Sequence, residues 1–253
     1  MREVFISDVH FGEDEDRRAW AFTLDILKDI QPDLVFLGGD IVDCGPLSSY
    51  TKEPDKAGAF QEELDHAFSQ LLELRTALPR VEIMYLLGNH EDRLRRMILN
   101  HAPGLFGLRN LGWDHILNLD ELQIQLLPEG EPYKIGHLNH LHGHELKGGG
   151  QVSPAHMQLQ KINDSVIMGH FHQFSVAHKT GLSGKYYIGL SNGCLSTLKP
   201  DYVFNPKWRQ GITVLDYAKS GLFAYQQVIY WEKGKHLLTF VDGKYYTTKK
   251  EKK

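Results

Sequence analysis

Cysteine is scarce in this chain: Cys44 and Cys194 are the two present, and they stand far apart. Neither a disulfide framework nor a C-x-x-C zinc site can be built from them. A reducing compartment is the simpler expectation. Long apolar runs are also missing, and none approaches the ~18 residues of a membrane-spanning helix. The first eight residues already carry Glu3 and Asp8, too early for the apolar stretch of a signal peptide. A cytoplasmic protein with no membrane partner is expected, and the sequon Asn163-Asp164-Ser165 is then idle. Nor does one sign of charge dominate. Lys and Arg number 28 against 32 Asp and Glu, a net charge of −4. That excludes a broad basic surface for duplex DNA and leaves room for a local basic groove. No fixed-period repeat is present.

What is there reads as an ordinary globular protein. Hydrophobic residues make up 42% and charged residues 24% of 253 residues, enough to bury a sizeable core. One domain over residues 1–253 is expected, with the Lys-rich end at 249–253 as a solvated tail. Histidine is the outlier. Eight of the 14 fall between His137 and His178, a concentration that raises the odds of metal binding.

Short β-branched, aromatic and apolar runs predict strands at Glu3 to Ile6, Leu34 to Leu37 and Val81 to Leu87. Helices are predicted from Arg17 to Ile30, from Gly58 to Leu78 and from Glu91 to Leu99, with Pro32 and Pro79 ending the first two. Strand alternating with helix predicts a parallel α/β sheet, whose functional loops leave the carboxyl ends of the strands. The second half shows short strands separated by Gly and polar turns: Leu122 to Leu126, Leu138 to His142, Ser165 to Met168, Tyr186 to Leu190, Ile212 to Tyr217, Leu222 to Tyr230 and Leu237 to Val241. That half reads as more antiparallel. Two packed sheets with helices outside are expected.

Five short motifs sit at strand ends: Asp8-Val9-His10, Gly39-Asp40, Gly88-Asn89-His90-Glu91, His142-Gly143-His144 and Gly169-His170-Phe171-His172. Each alone is weak, but all five in order after apolar strands form a strong signal. Aspartate, asparagine and neutral imidazole suit Mn²⁺ or Fe, and also Zn or Ni. Read as extended segments, Asp8 with His10, and His170 with His172, point to one side together. Seven ligands are too many for one ion with an open position. They fit two ions ~3.5–4 Å apart that share a carboxylate. Asp8 and Asp40 as simple helix caps would leave the partner histidines unexplained. His140 and His144 alternate with His142 and could share its face.

These motifs resemble those of the calcineurin-like metallophosphoesterases, spelled D-x-H, G-D, G-N-H-[DE], H-G and G-H-x-H, and they span about two thirds of the chain. The stretch from His142 to Gly150 also looks like small phosphoesterases often encoded by bacteriophages. The resemblance implies an α/β fold, a four-layer αββα sandwich of two mixed sheets flanked by helices. It implies two divalent transition-metal ions, with manganese first and iron, zinc or nickel as alternatives. Asp8, His10, Asp40 and His172 would hold one ion; Asp40, Asn89, His142 and His170 would hold the other, with Asp40 bridging. His90 would face the leaving group as general acid, oriented by Asp43, as in the G-D-x-x-D version of the second motif. Hydroxide drawn from a water shared by the ions would attack phosphorus, with Asn89 holding a phosphoryl oxygen. Arg93 and Arg96 are candidates for a bidentate phosphate clamp, against a plain solvated face. Lys147 is a further phosphate candidate. The Gly148-Gly149-Gly150 turn beside it either approaches a phosphate through its N–H groups or is only a turn.

Phosphoprotein phosphatases carry arginine after the second aspartate, as G-D-x-x-D-R-G; here that position is Cys44. A dianionic monoester benefits from that arginine. Its loss favours a diester, in a nucleotide or at an end of single-stranded nucleic acid. The Gly-Asn-His-Glu spelling pulls the other way, toward a phosphomonoesterase or phosphoprotein phosphatase. Two remoter readings remain. Gly189-Leu190-Ser191-Asn192-Gly193 spells the G-x-S-x-G of a serine esterase, with Asp201 or Asp216 and His236 in the right order, although little helical pattern follows. A non-catalytic metal-binding scaffold would not need the full ligand set and His90.

Overall fold

The computed structural model describes residues 1–48, 60–128, 130–146, 153–199 and 206–249. Lys147, the Gly148–Gly150 turn, Asp201 and the end of the Lys-rich tail lie outside the described residues. The first half runs β1 (Arg2–Ile6), α1 (Arg17–Ile30), β2 (Leu34–Leu37), α2 (Phe60–Ala77), β3 (Glu82–Tyr85), α3 (Asp92–His101), α4 (Trp113–Ile116) and β4 (Ile124–Leu126). Helix α1 starts where the Asp16 carboxylate accepts the Arg18 and Ala19 N–H groups, two donors a helix leaves orphaned. It ends at Gln31, left-handed and followed by proline.

The second half runs β5 (Tyr133–Ile135), β6 (Leu138–Leu141), α5 (Pro154–Ile162), β7 (Val166–Met168), β8 (Ser175–Thr180) and β9 (Tyr186–Ser191). Then follow β10 (Gly211–Tyr217), β11 (Phe223–Ile229), β12 (Trp231–Lys233), β13 (His236–Val241) and β14 (Lys244–Thr247). One sheet has the order β11-β10-β1-β2-β3-β4, another β5-β6-β7-β9-β8, and a small third one β12-β13-β14. Strands β1 to β4 are parallel, and so are β6, β7 and β9. The second half is more antiparallel, as expected, with β5–β6, β8–β9, β10–β11, β12–β13 and β13–β14 paired that way; its centre differs, being parallel where α5 separates β6 from β7. That helix is hard to read because its buried positions include Gln158 beside Ala155 and Leu159, which breaks the apolar stripe.

Period-two alternation sorts the core. Val4, Ile6, Val35, Leu37, Ile83 and Tyr85 pack on the helical side with α1 and α2. Phe5, Leu34, Phe36 and Met84 pack the other way, against Leu138, Ile167 and Leu190 of the second sheet. Ala155 and Leu159 of α5 cover Ala177 on that sheet's outer face. The layers are thus helix, sheet, sheet, helix: an αββα sandwich. Leu237 and Val241 of the small sheet join the core around α1. Among the described residues no helix is long and apolar enough to cross a membrane.

Candidate metal centre

The loops after β1 and β2 run side by side. Asp8 donates its N–H to the Gly39 carbonyl at 3.0 Å, His10 to that of Asp40 at 3.1 Å, and Phe11 to that of Ile41 at 2.8 Å. These bonds hold an unusual backbone. Asp8, His10, Asp40, His170 and His172 all have φ between 52° and 66°, the left-handed region that non-glycine residues rarely adopt. The expectation of extended segments is thus corrected: both the Asp8-His10 and the His170-His172 stretches turn at each candidate ligand. The second consequence is that His170 and His172 face different clusters. Two motif glycines allow the close approach. A Cβ on Gly88 would overlap the Asp40 carboxylate, and one on Gly169 would overlap Asp8 and Ser7.

Glu91 fixes this arrangement, and motif spelling gave it no role. It is fully buried. Its carboxylate accepts the N–H groups of Asp40 (3.0 Å), Ile41 (2.7 Å), Val42 (3.0 Å) and Gly88 (2.7 Å), and the Tyr85 hydroxyl (2.8 Å). One side chain therefore ties the β2 loop to the β3 loop. Its position directly after Gly88-Asn89-His90 was the available signal.

Two clusters result. Asp8, His10 and His172 offer ligand atoms within 4.8 Å of one another, as do Asp40, His142 and His170. His172 Nε2 lies 3.2 Å from Asp8 Oδ1, and His142 Nε2 lies 3.1 Å from Asp40 Oδ2. Asn89 Oδ1 is 3.2 Å from His142 Nε2. His142 turns Nε2 inward because Nδ1 bonds the Gly38 carbonyl at 2.8 Å, the usual way a second partner fixes a ligand's tautomer. The donor set fits two divalent ions. Buried His10 Nε2 has no hydrogen-bond partner and points to within 4.0 Å of Asp40 Oδ2, as a lone pair aimed at a cation would.

The electrostatics say the same. Burial opposes charge on Asp8 and Asp40, but the surrounding imidazoles outweigh it and hold both carboxyls below the usual range. Burial likewise opposes charge on His142, yet Asp40 draws its pKa up to about 10. Burial and the neighbouring His142 push His170 down to about 4, leaving a neutral imidazole. Buried anions here demand positive charge, from protons or from metal.

His90 also joins His10 and Asp40 in a third group within 4.8 Å. Its Nδ1 meets the Asp43 carbonyl at 2.6 Å and Asp43 Oδ1 at 3.1 Å. Asp43 Oδ1 also lies 3.1 Å from His10 Nδ1, so this carboxylate serves two histidines. Burial lowers the His90 pKa, but Asp40 and Asp43 outweigh it and raise it overall. Arg93 reaches back to the Asp43 carbonyl (2.8 Å) and to His90 Nε2 (3.0 Å). Arg96 donates to the Asn89 carbonyl at 3.0 Å and pairs with Asp92 at 2.9 Å. Glu63, unread in the sequence, accepts the Cys44 N–H at 2.5 Å; burial, with Asp43 nearby, lifts its pKa to about 7. The Trp208 ring packs on His172 with centroids 4.2 Å apart, and no motif pointed to it.

Of the alternates to His142, one lies away from the clusters and one beside them. His140 is fully buried between the sheets and meets Glu3 Oε1 at 2.9 Å. His144 stands 5.3 Å from His142, ring to ring. Among the described residues the serine-esterase arrangement finds no support: Ser191 is fully buried, residues 192–199 form no helix, and Asp216 is tied to Arg2.

A family model described as calcineurin-like phosphoesterase matches residues 1–174. The Gene 54 protein of Mycobacterium phage D29 is 28% identical over 192 residues, covering 72% of this chain and 74% of its own length. That of Mycobacterium phage L5 is 26% identical over 228 residues, covering 85% and 88%. Among solved structures, the phosphoesterase Yfce from E. coli is 15% identical, covering 89% of this chain and 98% of its own, with a TM-score of 0.39.

Proposed function

Since the chain belongs to the calcineurin-like phosphoesterase family and is a metal-dependent hydrolase of phosphoester bonds, we propose that it is a phosphodiesterase acting on nucleotides or nucleic-acid ends. Asp8, His10, Asp40 and His172 would hold one ion, and Asp40, Asn89, His142 and His170 the other, in one catalytic unit over residues 1–253. Manganese suits this oxygen and imidazole set best, with iron, zinc or nickel next. Bound there, two ions supply hydroxide near neutral pH and positive charge beside the phosphoryl oxygens. Asn89 orients one phosphoryl oxygen through its amide. His90, with Nδ1 anchored on Asp43, would take up a proton at Nε2 when the Arg93 guanidinium, which donates to that nitrogen at 3.0 Å in this structure, turns to the substrate, and would deliver it to the departing ester oxygen. Asp43 sets the ring's orientation and favours the charged imidazole. Two free, buried cysteines support a reducing, cytoplasmic setting.

The observation that carries the diester reading is at Cys44. Where a phosphatase of this type holds an arginine, this chain buries a thiol, raised in pKa by burial. The nearest guanidinium, Arg93, is engaged by the Asp43 carbonyl and His90. A monoester dianion meets fewer cations here than in such a phosphatase, whereas a diester monoanion needs fewer.

The test compares p-nitrophenyl phosphate, bis-p-nitrophenyl phosphate, a 2′,3′-cyclic nucleotide, single-stranded DNA and a phosphopeptide with added Mn²⁺. Diesters should be cleaved at least as fast as monoesters, and Cys44→Arg should shift the ratio toward monoesters in protein that keeps its Tm. Strong phosphopeptide turnover without diester turnover would promote the phosphomonoesterase reading.

A further inference from the structure

Helix α3 leaves the metal centre directly after His90 and none of its residues is fully buried. The chain from Arg95 to Asn110 is exposed almost throughout, although it carries Met97, Leu99, Leu105, Phe106 and Leu108. Phe106 is 56% and Leu108 52% exposed. Exposed apolar patches rimmed by polar residues mark interaction sites. The same stretch is strongly basic. Residues 93–113 contain four arginines and no Asp or Glu, in a chain of net charge −4.

Between α3 and the turn that follows it lies a cleft of about 360 Å³, lined by Leu94, Ile98, Phe106 and Leu108 with Arg95 and Arg109 on its walls. That is the size of a small-ligand pocket. The Arg109 side chain has no hydrogen-bond or ion-pair partner among the described residues. Arg95 makes one loose contact, 3.5 Å to Asp92. Asp114, the acidic group at the cleft, is taken up by His115 at 3.0 Å. The cleft also connects to the reaction centre. Its residue Leu87 precedes Gly88-Asn89-His90, and Arg96 and Arg93 bond Asn89 and His90.

We propose that this cleft is a subsite for single-stranded nucleic acid, in which a base lies against Phe106 among apolar side chains while Arg95 and Arg109 hold the flanking phosphates. An aromatic surface set in a basic track is how proteins hold single strands without reading sequence. A second copy of this chain is the poorer occupant, because a two-fold contact of the patch with itself would set arginines against arginines. The proposal rests on the phosphodiesterase reading and supplies its substrate class.

Binding is measured by fluorescence anisotropy with a labelled phosphorothioate oligothymidylate, which needs no turnover. Phe106→Ala and Arg109→Ala should each weaken binding at least fivefold. Arg109→Ala should also lower the slope of log Kd against log salt by about 0.7, one phosphate contact on a single strand. Lys28→Ala, on the far helix α1, serves as control and should change neither. On a cleavable oligonucleotide the two cleft variants should raise KM, so that the ratio of kcat/KM for oligonucleotide over bis-p-nitrophenyl phosphate falls. Equal losses on both substrates, or wild-type affinity in both variants, would overturn the subsite. Concentration-dependent dimerisation abolished by Phe106→Ala, with no oligonucleotide binding, would assign the patch to self-association. If the oligonucleotide binds through the cleft but no diester is ever cleaved, the subsite stands and the phosphodiesterase reading falls.

Discussion

His90 is the residue whose chemistry is most sharply testable. Its Nδ1 is committed to Asp43, its pKa is raised, and its Nε2 faces the cluster beside Arg93. A general acid matters in proportion to how badly the leaving group needs a proton. His90→Asn should therefore cost little on a p-nitrophenyl diester and ~10²–10⁴-fold in kcat/KM on a nucleoside leaving group. Elemental analysis of the same samples should find both metals retained. Equal losses on the two substrates would point to phosphate binding, and loss of a metal would make His90 a ligand.

Loops after β2 and β3 carry Asp40, Asp43, Asn89 and His90, and their fixity comes from Glu91 and Glu63. Glu91→Gln presents an amide N–H₂ to backbone donors that the carboxylate had satisfied. A buried donor left unpaired costs ~1–3 kcal/mol, so at least ~2 kcal/mol of stability should be lost in a denaturant titration. Metal content at limiting Mn²⁺ should fall with it; an unchanged midpoint would sink the bracing role. Glu63 anchors the Cys44 end of the same loop from α2. Its folded pKa of about 7 lies above the ordinary carboxyl value. Its contribution to stability is therefore complete below about pH 4.5 and is lost as pH rises through about 7. In metal-free protein, the fall in Tm from pH 5 to pH 8 should be smaller for Glu63→Gln than for the wild type. An identical fall would place the titration elsewhere.

The whole molecule packs two sheets face to face, and the candidate metal centre sits where their strands β1, β2, β3, β6 and β7 end. Ions held there by loops from both sheets would clamp the sandwich, since binding to the native state alone adds stability by mass action. EDTA should abolish activity and lower Tm by about 10–20 °C, from ~2.7 kcal/mol at each of two sites at a hundredfold excess over Kd. Activity that survives EDTA would revive the buried Ser191 as a nucleophile. An unaltered Tm would show that the folded chain gains nothing from the ions.

How much of this the sequence held depends on the range of the forces involved. The strands and helices of the first half were legible because the β-branched and aromatic run Val4-Phe5-Ile6 or the stripe of α1 is a property of a few consecutive residues. Ligand types were legible for the same reason, as each motif is a contiguous string. Helix α5 was not, because buried Gln158 interrupts its apolar stripe. The choice among His140, His142 and His144 was not either. The three alternate identically, and only the packing of the sheets sends His140 to Glu3 and His142 to Asp40. The left-handed backbone at five candidate ligands is likewise set from outside, by bonds such as His170 N–H to Asp8 across 162 residues. Local patterning determined which residues stand at the strand ends. Which of their atoms meet was decided by long-range hydrogen bonds and sheet packing, which no short stretch of sequence encodes.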